Sequence, residues 1–204
     1  MIFDFLLRRL YAFEDWLFDI RHGIHTQGIV YAGAKGLTAD LSAESHAAPY
    51  QSVWCLNLRV LIAVAREHGR PSTFIDIGAG KGKACIYAAS RFQSVIGVEY
   101  SHDLVKTARL NFSRAGIRNV MLIHTDAAQY DIPEGANLIF LFNPFDQVIL
   151  EQFVVRNLGR LDLRKSLFAY ANDIHFDVFQ KFGFQCLYRD ESRKLSLWRH
   201  VQSK

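Results

Sequence analysis

The chain has 204 residues, half of them hydrophobic, with 22% charged residues and a formal net charge of +4. That balance allows one sizeable buried core and excludes global disorder. The mild basicity, with a pI near 9.0, permits anionic partners without marking a nucleic-acid surface.

No uncharged apolar run reaches the roughly 18 residues that a membrane span requires. Asp4, Arg8, Arg9, Glu14 and Asp15 interrupt the apolar N-terminus, so no cleavable leader is expected. Cys55, Cys85 and Cys186 are widely spaced and odd in number. They form neither a metal pair nor a disulfide framework, and read as buried, reduced thiols of a cytoplasmic protein.

Residues 1–21 predict a helix. Ile2, Phe3, Leu6, Leu7, Leu10, Phe13, Trp16, Leu17 and Ile20 recur at helical spacing, with charges on the opposite side. This stripe is expected to pack on the main domain or to form a homodimer contact. Mixed acids and bases on the polar side speak against membrane adsorption. Residues 22–49 are rich in Gly, Ala and Ser and read as an irregular connector, long enough to close over a ligand. His22 and His25 have an HxxH-like spacing, but no acid lies between them and no cysteine is near, so no metal site is expected.

Tyr50 to His68 predict a second helix, with Val53, Trp54, Leu56, Leu58, Val60, Leu61, Val64 and Ala65 as its apolar set and Gly69 and Pro71 as its stop. Residues 1–70 thus form a helical N-terminal extension and residues 71–204 the main domain. From Thr73 onward strands and helices alternate, as in an α/β fold. Strands are predicted at 73–77, 95–99, 120–124, 138–142, 167–171, 184–190 and 194–199, and helices at 82–92, 103–115, 146–159 and 174–182. Arg156, Arg160, Arg164 and Lys165 form a basic run that reads as a solvated helix end.

The stretch Thr73–Lys83 organises the rest. Phe74, Ile75 and Ile77 form a short β-favouring run, followed by Gly78, Gly80 and Gly82 at every second position. Glycine adopts positive φ cheaply and lets a ligand approach the backbone. A strand, a glycine turn and a helix start make a nucleotide-type pocket at the carboxyl end of a parallel sheet. A dinucleotide fingerprint fails because Lys83 stands where its last glycine belongs, and a Walker A loop fails at Ala84, which lacks the hydroxyl. Only the acid after the second strand favours a nicotinamide dinucleotide.

Asp76-x-Gly78-x-Gly80-x-Gly82 resembles the first motif of the class I S-adenosylmethionine-dependent methyltransferases. The resemblance continues through Val95-Ile96-Gly97-Val98-Glu99, His124-Thr125-Asp126-Ala127 and Leu138–Phe145, in family order over residues 70–200. His22-Gly23-Ile24-His25-Thr26-Gln27-Gly28 and Tyr50 also resemble a bacterial group of small methyltransferases whose substrates are mostly unassigned. The resemblance implies a Rossmann-like, mostly parallel seven-stranded sheet with helices on both faces. S-adenosyl-L-methionine is the implied cofactor. Gly78, Gly80 and Gly82 would hold its methionine part, Asp76 its ammonium group, Glu99 its ribose, and Asp126 and Ala127 its adenine; Ala79 and Tyr100 would also line the cofactor site, with Tyr50 as a lid residue. Asn143, Pro144 and Phe145 would face the transferred methyl group and orient a nitrogen acceptor, although related families carry two prolines there. The implied acceptor is a protein side chain or a small molecule rather than a nucleic acid. The alternative is a module that binds the cofactor without transferring methyl.

Overall fold

The computed structural model describes residues 2–30, 50–159 and 165–201. A seven-stranded sheet runs through the domain in the order β5-β4-β3-β6-β7-β9-β8. Its strands are β3 (Thr73–Ile77), β4 (Ser94–Glu99), β5 (Val120–His124), β6 (Asn137–Phe142), β7 (Leu167–Ala171), β8 (Phe184–Asp190) and β9 (Leu195–His200). Strands β3 to β7 are parallel, and β9 inserts antiparallel between β7 and β8. The seven predicted strands, the mostly parallel sheet and the Rossmann-like layering are therefore all present.

Alternation along each strand divides the core into two layers. Phe74, Val95, Leu138, Phe140, Leu167 and Leu197 face helices α2 (Cys55–His68), α3 (Lys83–Ala89) and α4 (His102–Arg114). Ile75, Ile77, Val98, Ile139, Phe168 and Trp198 face α5 (Gln147–Leu158) and α6 (Asp177–Lys181). The order reverses at β3, whose successor β4 lies on one side and β6 on the other. That switch point opens a crevice at the carboxyl end of β3, where ligands bind in such sheets.

The N-terminal helix α1 (Ile2–His22) lies with its polar side inward. Asp15 and Asp19 are buried, whereas Leu10, Phe13, Trp16, Leu17 and Ile20 are exposed. The expectation that the apolar stripe packs on the domain is corrected from Leu10 onward. The reason is a set of distant partners for the two acids. Asp15 Oδ2 lies 2.7 Å from the Lys83 ammonium, an ionic approach outside hydrogen-bond directionality, with both side chains buried. Asp15 Oδ1 accepts the Cys55 backbone N–H at 2.9 Å, so α1 supplies the acceptor for the first turn of α2. One helical turn on, Asp19 accepts both the N–H and the hydroxyl of Thr26, at 2.8 and 2.7 Å. Phe18, between them, packs 6.0 Å from the Tyr87 ring.

Helix α2 begins at Cys55, five residues later than its apolar pattern suggests, because Tyr50–Gln51 (β2) pairs antiparallel with Ile29–Val30 (β1). The connector expected to be irregular thus contains a strand, and its residues 31–49 lie outside the described residues. In the basic run, Arg156 bonds Asp131, while Arg160 and Arg164 lie outside the described residues. Cys55 and Cys85 are buried, but Cys186 is exposed because it stands on the edge strand β8.

The Asp15–Lys83 pair sets a stability prediction. Lys83→Met leaves a carboxylate buried without its cation, and should lower the unfolding free energy by about 3 kcal/mol in chemical denaturation. Adding Asp15→Asn should recover most of the loss. A change below about 1 kcal/mol for Lys83→Met would mean that the pair does not hold the helix.

Candidate functional site

The crevice is built on the turn after β3. Gly78 and Ala79 donate their N–H groups to the Val98 carbonyl, each at 2.9 Å, which bends the chain across the end of β4. Gly78, Gly80 and Gly82 all have positive φ, at 80°, 55° and 83°. A Cβ at Gly78 would stand 2.4 Å from Pro144 Cβ, and one at Gly80 would stand 2.3 Å from Tyr50 Cε2. Both glycines are therefore required by close approach as well as by conformation. Gly82 precedes α3, and a Cβ there would stand 2.4 Å from Phe112 Cε1. This third glycine serves helix packing, on the side where α4 lies.

Glu99 ends β4, and its carboxylate joins two loops. Oε2 accepts the Gly80 N–H at 2.8 Å and Oε1 accepts the Ser101 N–H at 2.9 Å. Burial raises its pKa, and the N–H groups of Ser101 and Gly80 act in the opposite direction. The carboxylate keeps acceptor capacity for a ligand hydroxyl. Tyr100 follows at the rim and offers its carbonyl to His124 at 2.9 Å. Asp126 caps the short turn Ala127–Gln129 through the Ala128 N–H at 2.9 Å. Asp126 is half-buried and Ala127 buried, two strand ends away from the glycine turn.

Asp76 is buried and lines a small cavity with Tyr50, Gly78, Ala79 and Phe142. The Cys85 thiol donates to its Oδ2 at 3.4 Å. Burial, with Glu99 as a further contributor, pushes the Asp76 carboxyl up to about 7. A buried acid with so weak a donor is suited to a cationic ligand group.

Asn143 follows β6 in the left-handed region, at φ 40°, a conformation asparagine tolerates better than most residues. Its Oδ1 accepts the Tyr170 hydroxyl at 3.0 Å, which fixes the carboxamide. Pro144 lies against Gly78. Phe145 departs from its expected place. Its ring is buried in the α5-facing layer, 6.5 Å from Phe153, as part of the core.

Of the residues that close the site, Tyr50 was expected as a lid, whereas the roles of Lys81, Asn111 and Gly97 escaped sequence reasoning. Tyr50 donates its hydroxyl to the Thr26 carbonyl, and Lys81 donates to the Gln27 carbonyl at 2.8 Å while standing 5.1 Å above the Tyr50 ring. The segment after α1 is thereby tied down over Gly80. Asn111 of α4 donates to the Lys81 carbonyl at 2.9 Å and holds the turn from below. Gly97, mid-strand in β4, leaves room for Cys85 Sγ and Ala79 Cβ, 3.0 and 3.1 Å from where its own Cβ would be. The only sequence signal was Gly97 itself, a glycine inside a strand. His22 Nδ1 lies 2.8 Å from the Phe18 carbonyl in the last turns of α1.

The donor set suits S-adenosylmethionine. Asp76 would meet its ammonium group, the two oxygens of Glu99 its ribose hydroxyls, and the backbone at Gly78–Gly80 its methionine chain.

Comparison with known proteins agrees. The family model for a methyltransferase domain matches residues 74–161. A tRNA (uracil(54)-C(5))-methyltransferase of Schizosaccharomyces pombe is 29% identical over 149 residues, which is 68% of this chain and 28% of that protein. A probable (S)-tetrahydroprotoberberine N-methyltransferase 2 of Papaver bracteatum is 26% identical over 121 residues, 58% of this chain and 33% of that protein. The chain thus spans about a third or less of the length of these curated relatives. Among solved structures, the ribosomal protein L11 methylase of Lactobacillus delbrueckii subsp. bulgaricus superposes with a TM-score of 0.57 at 16% identity, over 72% of this chain and 77% of that one. Residues 74–161 thus match a methyltransferase domain, on a fold shared with that methylase.

Proposed function

We propose that the protein transfers a methyl group from S-adenosylmethionine to a nitrogen of a protein side chain or small molecule. One observation carries this reading: the buried Glu99 carboxylate bridges the glycine turn and the loop after β4, with lone pairs left for a sugar. The cofactor supplies an electrophilic methyl group on a sulfonium that leaves readily. The chain supplies position. Glu99 orients the ribose, Asp126 and Ala127 flank the adenine, and Asp76 holds the ammonium group. Tyr50 covers Gly80 as a lid element, latched by its bond to Thr26.

Asn143 orients the acceptor. Tyr170 occupies one lone pair of Oδ1, and the other can accept an N–H of an incoming amine. That contact aims the nitrogen lone pair at the methyl carbon, so the rate gain comes mainly from orientation. The Papaver relative, named as an N-methyltransferase, is consistent with a nitrogen acceptor. A module that binds the cofactor without turnover would lack a reason for the Tyr170–Asn143 contact beside the crevice.

Incubation with methyl-labelled cofactor and fractions of host protein and small amines tests the activity. Labelled product should form, and Asn143→Ala should reduce its rate by about 100-fold while affinity for S-adenosylhomocysteine holds. Cofactor binding with no labelled product in any fraction would leave the binding module as the function.

Glu99→Gln places an amide NH2 where a backbone N–H already donates. It should weaken S-adenosylhomocysteine binding at least about tenfold by calorimetry. Unchanged affinity would remove Glu99 from the site.

Asp76 sets a pH dependence. Its raised value of about 7 means that the carboxyl is protonated in mildly acidic solution and cannot neutralise an ammonium group. Affinity for S-adenosylhomocysteine should rise with pH through about 7, for as long as the ligand's α-amino group keeps its proton. Asp76→Asn should flatten the rising limb. A rising limb that survives in Asp76→Asn would point to a different group.

A further inference from the structure

We propose that Asp19 of α1 is a positioning residue for the cofactor, acting through Thr26 to seat Tyr50 on the glycine turn. The role rests on the S-adenosylmethionine reading above. It gives a purpose to Gly23-Ile24-His25-Thr26-Gln27-Gly28, whose residues reach no cofactor group in that reading.

The end of α1 is complete before Thr26. Gly23 stands at φ 63°, its N–H donates to the Ile20 carbonyl at 3.1 Å, and the Ile24 N–H donates to the Asp19 carbonyl at 3.0 Å. This pair of bonds, with Ile24 buried behind it, closes the helix. The Asp19 side chain is therefore not needed for capping. Its carboxylate instead takes both the N–H and the hydroxyl of Thr26, at 2.8 and 2.7 Å. Asp19 is 4% exposed and Thr26 0%. A buried carboxylate is costly unless paired, so this contact holds Thr26 in one place.

Thr26 turns its carbonyl to the site. That carbonyl accepts the Tyr50 hydroxyl, and the Tyr50 ring lies against Gly80. The next carbonyl, of Gln27, accepts from the Lys81 ammonium, which stands over the same ring. Burial draws the Lys81 pKa down, and the Asp19 carboxylate acts against it. Gly28, at φ 99°, leads into β1, which pairs with Tyr50–Gln51. Two successive carbonyls thus hold both side chains that cover the turn. Tyr50 also borders the cavity lined by Asp76, Gly78 and Ala79, at the amino acid end of the crevice. Glu99 and Asp126, which serve the ribose and adenine, lie outside this chain of contacts.

Calorimetry with S-adenosylhomocysteine and with 5′-methylthioadenosine, which lacks the amino acid end, tests the role. Asp19→Ala should weaken S-adenosylhomocysteine about tenfold and 5′-methylthioadenosine less than about twofold. Thr26→Val, which loses only the hydroxyl, should act in the same direction, and Thr26→Ser should bind both ligands as the wild type does. Tyr50→Phe removes the far end of the relay, so adding Thr26→Val to it should cost less than about twofold more. The Thr26 and Tyr50 variants keep the test decisive if Asp19→Ala does not fold. Equal losses for the two ligands, or full S-adenosylhomocysteine affinity in Thr26→Val and Tyr50→Phe, would reduce Asp19 to a structural contact and overturn the proposal. Wild-type protein that binds neither ligand would refute the cofactor reading itself, and this role with it.

Discussion

The site depends on the buried carboxylate of Glu99 and the two backbone N–H groups it accepts. One comes from the glycine turn after β3 and the other from the loop after β4. A carboxylate is one of the few side chains that can accept from two directions and retain capacity for a ligand. Without it the Gly80 N–H would lose its acceptor, and the loop after β4 would lose its tie to the glycine turn. The charge-assisted bonds offset the desolvation that burial imposes. The same atoms thus fix the fold locally and define where a sugar can lie.

A second set of buried polar contacts brings the N-terminal segment to this anchor. Asp15 reaches Lys83 at the start of α3, and Asp19 reaches Thr26. Thr26 offers its carbonyl to Tyr50, and the Tyr50 ring rests on Gly80. Lys81 completes the tie through the Gln27 carbonyl. Contacts of this kind favour one arrangement strongly, because each unpaired member would be costly. They join residues far apart in sequence into one wall of the crevice. They also explain why the first helix turns its acids inward and its aromatic residues outward.

The sheet was legible because its strands are short apolar runs between turn signals, and Phe74–Ile77, Val95–Glu99 and Leu138–Phe142 need both faces covered. The glycine turn and Glu99 were legible because their residue types are hard to explain otherwise. The orientation of α1 was not. Periodicity alone assigns the apolar stripe to the core, and only the distant Lys83, Cys55 N–H and Thr26 reverse it. Tyr50 was placed in a helix because Val53 and Trp54 extend the apolar pattern of α2, whereas its backbone pairs with Ile29–Val30. Phe145 was read from a motif as an acceptor contact, but an aromatic residue three positions past a buried strand packs as readily inward, against Phe153.

A co-crystal structure with S-adenosylhomocysteine tests the central claim most directly. The account predicts both ribose hydroxyls within hydrogen-bond distance of the Glu99 oxygens and the amino acid end beside Asp76 and Gly78. A ligand seated elsewhere, or ribose hydroxyls remote from Glu99, would contradict it.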